Sequence, residues 1–257
     1  MIDYDRDAWW KTCFALRGTV LLHVLNRVGL LTGFALLLYL IDDFILIPNN
    51  NSLPALDSLG HSVLGVALSM LIVFRTNSSN NRYWEARSHW GMLVNSSRNL
   101  ARMGATYLSP ASELASLIAA YVIMLKEQLR GNFDANCIRH LVPGRLMARL
   151  AEFKNPAQGI ALLISQWIHS RLESGKIEPI LASQMESLVN SMVDNQGGCE
   201  KIHKTPLPFV YAALIKQVLF LYLATLPFVL VPKMNALAPL VVAGVSLCML
   251  GIEEAGV

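Results

Sequence analysis

The chain has 257 residues, of which 54% are hydrophobic and only 15% are charged. This composition is too apolar for a soluble domain of that length, so it indicates a membrane protein. A net charge of +3 requires no nucleic-acid partner, because basic residues at a cytoplasmic membrane surface account for it. The four cysteines form no C-x-x-C motif, and we interpret them as reduced packing residues: Cys13, Cys137, Cys199 and Cys248.

Four apolar segments are predicted to span the membrane: Val28–Ile47, Leu59–Phe74, Phe209–Val231 and Ala236–Ile252. The second and fourth are shorter than the roughly 20 residues of a lipid-facing span, so we expect longer neighbours to cover them. Fifteen of the 21 Lys and Arg residues lie between residues 75 and 204, and four precede the first span. By the positive-inside rule, both termini and this middle segment are predicted to be cytoplasmic.

The middle segment shows helical patterns and no sustained two-residue alternation, so we predict no sheet. The first predicted helix, Asn80–Tyr107, continues the second span without a break. The others cover Pro110–Arg130, Pro143–Phe153, Pro156–Glu173 and Glu178–Asp194. Gly197 and Gly198 are expected to end the last of them. The fold class is therefore an all-α membrane protein with four spans. The predicted divisions are a cytoplasmic N-terminal helix (1–27), spans one and two (28–74), a cytoplasmic helical region (75–204), and spans three and four with the C-terminus (205–257).

The second span carries a stripe of bulky apolar residues. Val66, Met70 and Phe74 recur at every fourth position, which places them on one face of a helix. Small residues such as Gly65 and Ala67 lie beside them and suit close helix packing. From the residues alone, the stripe is either a lipid-facing or packing ridge, which is the ordinary interpretation, or the wall of a pore shared among subunits.

Two motifs carry a resemblance to a known family. They are FRTNSSNNRYWEARSHWG, from Phe74 to Gly91, and GGCEKIHKTPLPFVYAALIKQ, from Gly197 to Gln217. Taken together with the helical order, they resemble the bestrophin family, and in particular its bacterial members. Bestrophins are homopentameric ion channels with one central pore, so the resemblance implies five copies of the second span around a transmembrane neck in the bacterial inner membrane.

The resemblance also implies which residues narrow the pore. Bestrophin necks are narrowed by three apolar residues one turn apart, and Val66, Met70 and Phe74 match those positions. A second aperture lies in the cytosol, and the matching position in SGKIEPIL is Ile180. Without the family, Ile180 would be interpreted as a core residue in the first turn of a helix. Rings of apolar side chains resist wetting, so we expect a hydrophobic gate at the neck.

Several charged residues allow a structural and a functional interpretation. Arg75, Lys176 and Glu178 are candidate charges of wider vestibules that would select the ion. Arg82 and Glu85, three residues apart, are expected to pair on a solvated face, with a role in the ion's path as the alternative. Asp42 and Asp43 lie near the outer end of the first span. They are expected at the membrane interface rather than at an intramembrane functional site.

No catalytic motif and no metal-ligand cluster is found in the sequence, so no enzyme, metal or cofactor is predicted. The acidic run that forms part of a calcium site in animal bestrophins does not follow Glu253 and Glu254, so calcium gating is not carried over. We expect the natural chain to continue beyond Val257. The expected partners are copies of the chain, membrane lipid and monovalent ions, with cations favoured over chloride. A secondary transporter and a membrane-anchored helical scaffold remain as alternatives.

Overall fold

A computed structural model describes residues 9–15, 18–108, 110–132, 134–150 and 152–256, and all regular elements in these ranges are helical. The all-helical prediction is thus confirmed. The α-helices are α1 (Trp9–Cys13), α2 (Leu21–Ile41), α3 (Ser58–Tyr107), α4 (Ser112–Leu129), α5 (Gly144–Leu150), α6 (Pro156–Glu173), α7 (Pro179–Lys204), α8 (Phe209–Met234) and α9 (Ala238–Ala255). The chain divides into two compact units: Met1–Asn81 with Leu207–Val257, and Arg82–Pro206.

The first unit contains the apolar helices. In the described part of the chain, three helical runs are long and apolar enough to cross a membrane: Leu21–Asn49, Ser58–Tyr107 and Phe209–Ala255. The third run contains both α8 and α9, which are joined by a single 3-10 turn at Asn235–Leu237. The two helices are antiparallel, because Lys216 near the start of α8 lies 3.9 Å from Glu253 near the end of α9.

The core of the first unit is formed by side chains from α2, α3, α8 and α9. Its most buried members are Val24, Ala35, Leu68, Ile72, Ile215, Leu219, Leu223 and Val242. Gly65 allows α3 to approach α8 closely, because a Cβ at this position would lie 2.8 Å from the hydroxyl of Tyr222. One face of α3 is therefore packed within the chain, which fixes the direction of the opposite face.

The second unit is a helical bundle around α4, α6 and α7, together with the part of α3 that follows Asn81. Leu93 and Leu100 of α3 and Tyr121 of α4 are fully buried in its core. Apolar residues recur on one face of α4 and of α6, and these faces meet with α7 to exclude water. Asn155 begins α6 by accepting a hydrogen bond from the backbone N–H of Gln158 at 3.1 Å.

The expected end of the last cytoplasmic helix is wrong. Gly197 and Gly198 lie inside α7, which continues to Lys204. A Cβ at Gly198 would lie 2.5 Å from the imidazole of His89, so this glycine permits close contact between α7 and α3. Packing between the two helices outweighs the weak helix propensity of glycine here. The N-terminal helix predicted for residues 1–27 falls partly outside the described residues, which show α1 and the start of α2.

Candidate functional site: the exposed α3 stripe and the turn before α7

The three predicted neck residues share one exposed face of α3. Val66 is 71% exposed, Met70 60% and Phe74 56%, although all three are large and apolar. Leu68 and Ile72, on the opposite face, are buried in the core of the first unit. Packing within the chain therefore does not explain this set, which we call the α3 stripe. The stripe must contact lipid, another subunit or the lumen of a pore.

Arg75 follows the stripe directly, but its side chain turns into the first unit. The residue is 4% exposed, and its guanidinium donates a hydrogen bond to the carboxylate of Glu253, which is 2% exposed. Each of the two charges requires the other, because burying either one without its counter-charge would cost several kcal/mol. The neighbouring pair, between Arg27 and Glu254, has N and O atoms 2.8 Å apart and is partly exposed.

This pairing leaves the exposed face of α3 in the first unit without a cationic side chain. Arg75 is the one Lys or Arg between residues 58 and 81, and it is buried. The nearest exposed charge before the helix is a carboxylate, since Asp57 precedes α3 and accepts a hydrogen bond from the backbone N–H of Gly60 at 2.8 Å. The stripe is thus flanked by an acidic group on its N-terminal side.

The predicted aperture residue, Ile180, lies in the first turn of α7, directly after the turn that joins α6 to α7. Gly175 has a φ of +66°, a left-handed conformation that suits glycine and turns the chain after α6. Ile177 of this turn is buried in the second unit, whereas Ile180 is 71% exposed. The default expectation of a core role for Ile180 is therefore wrong, and Ile177 takes that role. Lys176 and Glu178, the other predicted vestibule charges, are both exposed.

Arg82 and Glu85 do not pair with each other as expected. Arg82 instead donates hydrogen bonds to the backbone carbonyls of Ile202 and Thr205, at 2.8 and 2.6 Å. These carbonyls end α7 and have no partner within that helix, so the arginine caps it. Glu85 accepts a hydrogen bond from Lys201 Nζ at 2.9 Å. The RYWEAR motif therefore fastens α3 to the end of α7.

The GGCE motif contributes a polar network that the sequence analysis missed. One oxygen of Glu200 accepts hydrogen bonds from the side-chain amides of Gln128, Asn155 and Gln196 at 3.1, 2.9 and 2.7 Å. Burial opposes ionisation of Glu200, but the hydrogen bonds and Lys204 outweigh it and lower the pKa of this carboxyl. Gln196 and Glu200 are four residues apart on one helix, so the spacing was an available signal for this contact. Gln128 and Asn155 come from α4 and the start of α6, and spacing could not assign them.

Asp42 has a structural partner. Its carboxylate accepts the backbone N–H of Leu53 at 2.9 Å and is 6% exposed, so it fixes the segment that connects α2 to α3. Asp43 is exposed. Among the described residues, no group of three or more His, Cys, Asp or Glu side chains could hold a metal ion.

Comparisons with known proteins agree in one family. The family model described as Bacterial/Fungal Bestrophin protein matches residues 1–257. A protein from Nostoc named voltage-dependent anion channel-forming protein is 31% identical over 96% of this chain and 81% of its own length. A Synechocystis protein of the same description is 32% identical over 97% of this chain and 82% of its own.

Solved structures give the same result at the level of the fold. A crystal structure of a bacterial bestrophin homologue from Klebsiella pneumoniae superposes with a TM-score of 0.84 at 25% sequence identity. The match covers 91% of this chain and 87% of that chain.

Proposed function

We propose, from the premise that this chain belongs to the bestrophin family, that it forms a homopentameric ion channel in which α3 lines one central pore. The observation that carries the proposal is the α3 stripe, whose three large apolar residues are exposed while the opposite face of the helix is packed in the chain. The family and the names of the relatives support an ion channel rather than an enzyme.

The stripe would act as a hydrophobic gate. Five copies of Val66, Met70 and Phe74 form three successive apolar rings, and a narrow apolar passage loses its water readily. An ion that crosses a dry passage must give up part of its hydration shell, which blocks conduction. Met70 is flexible enough to widen its ring by changing rotamer, so this constriction can open without movement of the helix.

The helices and the placement of charges support a membrane arrangement. We assign α2, the first part of α3, α8 and α9 as four spans in the bacterial inner membrane, supported by the antiparallel packing of α8 and α9. The termini and the region 75–204 are cytoplasmic because Lys and Arg concentrate there. In this arrangement the exposed Ile180 forms the cytosolic aperture, flanked by Lys176 and Glu178 at its vestibule.

Monovalent cations are the first candidate for the ions that pass. Apolar rings oppose both signs of charge, so selectivity depends on the charged groups beside them. Arg75 is withdrawn from the pore by Glu253, and the exposed charge nearest the outer end of the stripe is the carboxylate of Asp57. Both features favour cations at the neck.

Anions are the second candidate, because the relatives from Nostoc and Synechocystis are named voltage-dependent anion channel-forming proteins. Lys176 beside Ile180 would then be the cation that attracts them. The two candidates share one pore and differ in which vestibule charge dominates.

Two measurements test the proposal. The purified protein should have a particle mass of about 140 kDa, five times the 28.4 kDa chain, and should conduct in planar bilayers. Under a KCl gradient, the reversal potential should shift toward the potassium equilibrium potential. A shift toward the chloride potential selects the anion candidate. A monomer without conductance would instead favour a scaffold, and saturable flux without single-channel steps would favour a transporter.

A further inference from the structure

A groove of about 540 Å³ runs along the outside of the first unit between α2 and α8, with α9 beneath it. Its walls are apolar and open to the surroundings, since Leu30 is 76% exposed and Phe220 68%. Leu223 and Leu250 lie at its base and are buried. At one end the lining becomes charged, with Arg27, Lys216 and Glu253.

We propose that this groove binds one anionic phospholipid of the cytoplasmic leaflet, with its phosphate on Arg27 and Lys216 and an acyl chain along Leu30, Phe34 and Phe220. The combination of a long apolar surface and a cationic end matches the two parts of such a lipid. Basic pockets between spans on the cytoplasmic side are suited to anionic headgroups. The choice of leaflet rests on the proposed orientation, whereas the binding site itself does not depend on conduction.

The charge balance at this end leaves a cation available to a ligand. Three cations, Arg27, Arg75 and Lys216, face two carboxylates, Glu253 and Glu254. Glu253 is already held by Arg75, and Lys216 Nζ lies 3.9 Å from it with half of its side chain exposed. Arg27 uses Nη1 for Glu254 and is also half exposed. A guanidinium has five N–H donors, so Arg27 can bind a phosphate and Glu254 together.

The length of the groove fits one leaflet. Phe34 follows Arg27 by seven positions, which is a rise of about 10 Å along α2. The hydrocarbon core of a bilayer is about 30 Å thick, so the groove covers about two thirds of one leaflet below the headgroup. A lipid chain held there would pack against Leu30 and Phe220, and its headgroup would lie beside Lys216.

The test compares two lipids with the same acyl chains and the same phosphate, one with an uncharged glycerol headgroup and one with a cationic choline headgroup. The purified protein is titrated with dioleoylphosphatidylglycerol or dioleoylphosphatidylcholine, and the bound copies are counted by native mass spectrometry. Lys216→Gln should weaken binding of the anionic lipid about fivefold, the factor for one basic residue near a membrane surface. Arg27→Gln should do the same, and both variants should weaken binding of the zwitterionic lipid less, because its choline offsets the charge of the phosphate.

Two further variants serve as controls. Lys233→Gln changes an exposed lysine at the other end of α8 and should leave both affinities unchanged. Ala224→Phe fills the groove without altering charge and should displace the anionic lipid from this site. Equal binding of the two lipids, or equal effects of Lys216→Gln and Lys233→Gln, would overturn the proposal. So would a change of particle mass in Ala224→Phe with lipid preference intact, because a second copy would then occupy the groove.

Discussion

The adjacent carboxylates at the end of α9 give a matched pair of substitutions. Glu253→Gln leaves the guanidinium of Arg75 buried, 4% exposed, without its counter-charge. Breaking a buried pair by removing one charge costs about 3–5 kcal/mol. Glu254→Gln removes the same charge from the next residue, but its partner Arg27 is half exposed, so the expected cost is about 0–1 kcal/mol.

The assay is thermal unfolding of the purified protein in detergent, followed by circular dichroism or by loss of the assembled peak. For a chain of this size each kcal/mol corresponds to roughly 2–4 °C in Tm, so Glu253→Gln should lower Tm by roughly 6–20 °C. Glu254→Gln should lower it by only a few degrees. Similar shifts for the two variants would show that burial of the Arg75 pair does not set its contribution, and the reasoning would fail.

Three other substitutions test separate parts of the structure. Gly198→Ala should destabilise the second unit, since its methyl group would meet a histidine ring, whereas Gly197→Ala has open space and should be neutral or stabilising by up to about 1 kcal/mol; thermal unfolding of both decides. The ionised form of Glu200 contributes stability that is present above its ordinary pKa of 4.5 and lost as pH falls through the lowered native pKa. Glu200→Gln should therefore flatten the acid side of the stability profile, and an unchanged profile would contradict the network. Ile180→Ala should change conductance or relative permeability in bilayer recordings without loss of assembly. Ile177→Ala should lower the free energy of unfolding by about 2–5 kcal/mol, because its side chain is buried. The reverse pattern would contradict the assignment of Ile180 to the aperture.

Periodicity was sufficient to predict the long helices. The apolar run from Leu59 and the polar run to Tyr107 form one helix, as the absence of a breaker between them indicated. The same rule failed at Gly197 and Gly198, because the close approach of His89 is a tertiary contact that local sequence does not contain. A helix boundary that depends on packing can be predicted only when the packing partner is known.

The candidate site was predictable in part for the same reason. The spacing of Val66, Met70 and Phe74 puts them on one face, but only the fold shows that the core of the chain lies on the other face. Arg75 lies next to the stripe in sequence, yet its partner Glu253 is 178 residues away. Pairings of that range depend on how α3 and α9 pack, which composition and spacing do not determine.

The central claim is that the α3 stripe forms the gate of a pore, and single-channel recording of a triple variant tests it most directly. Replacing Val66, Met70 and Phe74 together by Ala should raise open probability in planar bilayers. The smaller side chains leave a wider passage, and water fills a wider passage more readily. The control replaces exposed apolar residues elsewhere in the first unit, Leu37, Leu214 and Leu240, by Ala and should leave gating unchanged. An unchanged open probability in the stripe variant, or an equal rise in the control, would contradict the account.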